Sequence, residues 1–137
     1  MNTNTYSNAA EPDPSLVTLT HVTYALHALG LAIGAFGAST VIGAFVFGWP
    51  SIIAVIINYV KQGDARGTWL ESHFRWQMRT VWIALGWVVL LTIAALIRGP
   101  ADYMLIWRGG VYALGVWATY RLVRGVHKLR RRESLPG

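Results

Sequence analysis

Residues 22–48 read VTYALHALGLAIGAFGASTVIGAFVFG, a run without one formally charged side chain. About 20 such residues cross a bilayer as a helix, and a longer run tilts. This stretch decides the fold, because the rest of the chain is too small to hide it in water. The chain has 137 residues, 54% of them hydrophobic and 13% charged. Soluble domains carry about 25% charged residues, and small folds leave much of their surface exposed. Lipid is the solvent that fits. There is no cysteine, which excludes a disulfide framework, thiol chemistry and a cysteine metal site.

Ahead of this run, residues 1–15 (MNTNTYSNAAEPDPS) are polar, contain proline and carry no Lys or Arg. They are expected to be disordered, and they lack the basic region and apolar core of a signal peptide. Behind it, Trp49-Pro50 interrupts the run. Residues 51–60 (SIIAVIINYV) are apolar again but cover only about 15–18 Å as a helix, so they form either a re-entrant helix or a short further span. Residues 61–80 (KQGDARGTWLESHFRWQMRT) are the polar centre of the chain. Gly63, Asp64 and Gly67 suggest a turn, and Thr68 followed by Glu71 fits a capping box. The spacing predicts an amphipathic helix over 68–80, with Glu71 and Arg75 on one side, aromatics at headgroup depth and arginines in water. Residues 81–97 form a second clear span, stopped by Arg98-Gly99-Pro100. Residues 103–120 form a third, and the short connection makes an antiparallel hairpin of the two.

The expected fold is therefore all-α: a polytopic helical membrane protein of three spans (about 22–48, 81–98 and 103–120). To these it adds the short re-entrant or fourth hydrophobic helix at 51–60 and the lead-in helix at 68–80. The membrane domain covers 16–124, between a disordered start and a basic cytoplasmic tail at 125–137. Lys and Arg favour the cytoplasmic side. Three spans put the N-terminus outside and a full fourth span brings it in; the 61–80 region and the tail face the cytoplasm of a cell inner membrane in both cases.

The formal net charge of +6 raises the question of nucleic acid. Its placement argues for lipid instead. Six of the 12 Lys and Arg are Arg121, Arg124, Lys128, Arg130, Arg131 and Arg132, directly after an apolar segment. A basic cluster there reads as a juxtamembrane anchor on anionic headgroups, and nucleic acid is not an expected partner.

Gly30, Gly34 and Ala38 are spaced by four. Small residues at that spacing let helices approach closely in lipid, either within the chain or at a seam between copies. Arg108 is a charge inside a span, which either snorkels to the interface or makes a buried polar contact. His21 and His27 are six apart, not the four that puts two helical ligands on one face. No carboxylate cluster accompanies any histidine, so neither metal nor haem is expected. No nucleophile elbow, phosphate loop or paired carboxylate is present, and no catalytic residue or cofactor is assigned.

Tyr24-Ala-Leu-His27, Gly30 onward and the stretch SIIAVIINYVKQGDARGTWLESHFRWQMRTVW resemble a family of small bacterial membrane proteins distantly similar to the chloroplast import component Tic-twenty. The resemblance covers roughly residues 20–124. It is most distinctive at Ser72-His73-Phe74-Arg75-Trp76-Gln77, running through Arg79-Thr80, and Glu71, His73, Arg75, Trp76, Gln77 and Arg79 match its recurring motif. The resemblance implies a helical inner-membrane protein of three or four spans, carries no established activity, and points remotely to protein translocation. Two functions compete: a non-enzymatic module that packs with itself or with a membrane protein partner, and an oligomeric channel, carrier or translocation-related subunit. Arg108, Asn58 and the half-length 51–60 segment motivate the second.

Overall fold

A computed structural model describes residues 10–37 and 49–136, and the side chains of 10–33 and 49–136. Every regular element among them is a helix: α1 (Pro14–Gly37), α2 (Trp49–Lys61), α3 (Glu71–Arg98) and α4 (Pro100–Arg130). Two stretches, Pro14–Ile33 and Glu71–Arg98, are long and apolar enough to cross a membrane.

The first helix starts inside the segment expected to be disordered. Asp13 accepts the Ser15 N–H at 2.8 Å, and its carbonyl accepts from Leu16 and Val17. Asp13 therefore caps the helix, and Pro14 stands at its first position, where a missing N–H costs nothing. Pro50 lies in the first turn of α2 for the same reason. The buried side chains of α2, Pro50, Ala54 and Asn58, are four apart and form one stripe. α2 packs mainly on α1 and also reaches α3. Gly30 lets α1 and α2 come close: a Cβ there would collide with the Ser51 hydroxyl. α2 rises about 20 Å at 1.5 Å per residue, and the outer end of the 22–48 run lies beyond the described residues.

α3 departs from the expected pattern. The lead-in helix and the following span are one unbroken helix of about 42 Å, and it starts at Glu71, not at Thr68. Thr68 makes no cap; its hydroxyl donates to the Ala65 carbonyl at 2.7 Å. Glu71 does reach back, accepting the Gly67 N–H at 3.0 Å. Gly99 alone separates α3 from α4, giving the antiparallel hairpin that Arg98-Gly99-Pro100 predicted. α4 runs unbroken past Tyr120 to Arg130.

These connections gather chain segments distant in sequence at one end of the bundle. Ala10 bridges to Thr68, and Arg132 lies 4.0 Å from Glu11. Leu16, Tyr24, Ala65, Trp69, Leu70, Phe74 and Leu129 form a hydrophobic cluster there. Burying a large side chain of this kind is worth about 1.5–3 kcal/mol. The start of α1, the 61–70 loop, the start of α3 and the end of α4 therefore share one end. The opposite half of the hairpin is bare, with Trp87, Leu90, Leu96, Ile97 and Leu105 among its exposed side chains.

Candidate functional site

The motif at the start of α3 supplies the polar interior of that shared end. His73 is fully buried. Its Nε2 lies 2.9 Å from the Glu133 carbonyl oxygen, which only accepts, so Nε2 carries the proton. Nδ1 then accepts from the Tyr24 hydroxyl at 3.1 Å. One imidazole thus ties α1 to the chain beyond α4. The Trp69 ring meets it edge-on at 5.7 Å. The neighbouring Ser72 hydroxyl donates to the Trp69 carbonyl and accepts the Leu135 N–H at 2.9 Å.

One turn on, Gln77 is buried and accepts from the Asn58 amide at 3.0 Å, joining α2 to α3. Trp76 and Thr80 join α3 to α4. The Trp76 indole N–H donates to the Arg121 carbonyl at 3.1 Å, and the Arg121 Nε donates to Thr80 at 2.8 Å. The Arg121 guanidinium lies 3.6 Å from the centre of the Trp76 ring, a cation–π contact. Tyr24 completes the arrangement against Gly125, where any Cβ would strike its ring. The result is a polar clasp in which four helices and the returning C-terminal chain share hydrogen bonds. Polar side chains embedded in apolar helices serve as interhelical contacts of this kind.

The structure thus divides the motif. His73, Trp76 and Gln77 turn inward, whereas Glu71 and Arg75 form a surface ion pair at 3.3 Å and Arg79 is exposed. Trp69 and His73, expected among aromatics on the helix surface, are instead buried inside the protein. The basic tail divides as well. Arg121 is half-buried on Trp76 and Thr80. Lys128 pairs with Glu133, whose carboxyl is held below its usual range by that hydrogen bond. Arg124, Arg130, Arg131 and Arg132 are exposed. The chain after Arg130 docks on α3 instead of running free in water.

Of the small-residue face, Gly30 packs on α2; the surroundings of Gly34 and the whole of Ala38 lie outside the described residues. Arg108 is exposed, and its neighbour Asp102 pairs with Arg98 at 3.5 Å. His27 is buried while His21 and His127 are exposed, and no three metal-ligating side chains converge among the described residues. Beside the clasp, a groove of about 510 Å³ opens between the helices. No family model matches the chain, and neither the curated proteins nor the solved structures give a significant match.

Proposed function

We propose that the chain is a multi-pass protein of the cell inner membrane, with both termini in the cytoplasm, and acts as a non-enzymatic packing or assembly module. The observation that carries this reading is the outer face of α4. Leu105, Tyr112, Val116, Tyr120 and Val123 are all exposed. Gly109 lies among them, and a Cβ at that position would meet nothing within 4 Å. Together these residues follow one another at steps of three and four. That spacing makes a single stripe along a helix, the pattern of a packing seam, with a glycine where another helix approaches closely. Arg108 borders the stripe. The orientation rests on charge: of the 12 Lys and Arg, all except Arg98 and Arg108 lie at or near the clasp end, and such an end favours the cytoplasm. Because the starts of α1 and α3 share it, the N-terminus belongs on the same side. The family resemblance carried by the His73–Arg79 region is part of the same proposal, as is the lack of catalytic motifs.

The carrier reading loses one of its motives, since Asn58 is tied to Gln77; the exposed Arg108 remains available to a neighbouring copy. A photo-crosslinking residue at position 112 or 116, irradiated in native membranes, distinguishes assembly from solitary residence. Adducts of discrete mass, a dimer or one partner protein, are expected. Adducts with lipid alone at both positions would refute the assembly role.

A further inference from the structure

We propose that the groove beside the clasp binds an anionic phospholipid of the bilayer, its head phosphate at Arg121 and one acyl chain along the apolar wall. The inference builds on the membrane reading above and goes beyond it by assigning a ligand site. The volume of about 510 Å³ falls within the range of small-ligand pockets, roughly 300–1,000 Å³. Its wall is apolar, built from Leu31 of α1 and from Val81, Ala84, Leu85, Val88 and Ile93 of α3. Leu85 and Ile93 are also exposed on the outer surface, so the wall is continuous with the side that meets lipid.

At its clasp end the groove is lined by the polar side chains of Tyr24, His27, Gln77, Thr80 and Arg121; the hydroxyls of Ser51 and Thr92 also belong to its described lining. The residues of that end carry three buried polar atoms without a partner among the described residues: His27 Nε2, Gln77 Nε2 and Arg121 Nη2. His27 and Gln77 are 6% and 2% exposed. Leaving a buried polar atom without a partner costs about 1–3 kcal/mol, and all three atoms belong to side chains that line the groove. The guanidinium is always charged and suits a phosphate oxygen in particular. Among the described residues no Asp or Glu lines the groove, which leaves that charge for a ligand to neutralise. A second copy of the chain is a poorer occupant. The acid within its exposed hairpin, Asp102, is already paired with Arg98.

The test is native mass spectrometry of the full chain recovered from vesicles of phosphatidylglycerol and phosphatidylcholine in equal amounts. Flotation with the vesicles reads membrane residence separately. The wild-type chain is expected to retain a single phosphatidylglycerol, in preference to phosphatidylcholine by at least about tenfold, because a hydrogen bond to a charged group exceeds one decade of affinity. Arg121→Gln should abolish that preference. Arg121 also holds α4 on α3, so a second variant is needed: Ala84→Trp fills the apolar wall one turn from Thr80 and removes no hydrogen bond of the clasp. It should lose the lipid while keeping wild-type helicity and thermal unfolding. Neutralising Arg130, Arg131 and Arg132 together should leave the bound lipid in place. A chain that floats but retains no lipid overturns the proposal, as do equal retention of the two lipids, a lipid count unchanged in Ala84→Trp, or loss of the lipid with the three tail arginines. A chain that does not float overturns the membrane reading itself.

Discussion

His73→Ala is expected to destabilise the protein by about 3–5 kcal/mol, the largest effect of any single substitution in the clasp. The side chain is fully buried, and both ring nitrogens are engaged. Truncation leaves the Tyr24 hydroxyl and the Glu133 carbonyl without partners and opens a cavity under Trp69. Unfolding in mild detergent, followed by circular dichroism, measures the loss. Most of it comes from the stranded groups and the void, not from one hydrogen bond. In a double-mutant cycle with Tyr24→Phe, the coupling should be about 1 kcal/mol, in line with interhelical hydrogen bonds in membrane proteins. A His73→Ala cost below about 1 kcal/mol would mean that the imidazole is not buried as described.

Trp76→Ala comes next, at about 3–4 kcal/mol. The indole donates to the Arg121 carbonyl and carries the Arg121 guanidinium on its face, with Arg124 farther out at 5.8 Å. Its removal takes away the platform and the hydrogen bond together, and α4 loses its hold on the start of α3. Trp76→Phe separates the two contributions. It keeps an aromatic face and loses the N–H, so it should cost only about 1 kcal/mol. If Phe were as damaging as Ala, the cation–π contact would contribute nothing and the hydrogen bond everything. The same detergent unfolding experiment reads both variants.

Much of the architecture is legible in the sequence because lipid-sized apolar runs and their breakers are local signals. The unbroken apolar residues of 81–97, the Arg98-Gly99-Pro100 stop and the continuation of the last helix through Arg121, Arg124 and Lys128 require no knowledge of contacts. The start of α1 carries a local signal too, against the expectation of disorder there. Asp13-Pro14-Ser15 is a cap followed by proline at the first helical position, and the polar composition around it hides the signal.

The clasp is harder to read. On α3, His73, Gln77 and Thr80 form a polar stripe at steps of four and three, beside a second stripe of Glu71, Arg75 and Arg79. Charge makes the second stripe the more conspicuous, and that stripe alone assigns the whole helix to the headgroups. The inward stripe becomes recognisable only when matched with Tyr24 and Asn58, single polar residues embedded in apolar helices, which need polar partners inside the bundle. Which of them meet is set by how α1 and α2 pack on α3, and no local pattern encodes that. Likewise, a length of ten apolar residues does not distinguish a re-entrant helix from a returning one. The contact of Gly30 with Ser51, together with Asn58 on Gln77, shows that α2 leads back toward the end where α1 begins.

That shared end is the centre of the account, and the cysteine-free sequence allows a direct measurement of it. Single cysteines at Asp13→Cys, Asp64→Cys, Asp102→Cys and Arg131→Cys, probed with a membrane-impermeant maleimide in intact cells and again after permeabilisation, report the side of each segment. The account predicts that Asp102→Cys is labelled in intact cells, whereas Asp13→Cys, Asp64→Cys and Arg131→Cys react only after permeabilisation. Labelling of Asp13→Cys in intact cells, with Asp64→Cys and Arg131→Cys protected, would contradict it, because the start of α1 and the segment after α4 would then lie on opposite sides of the membrane.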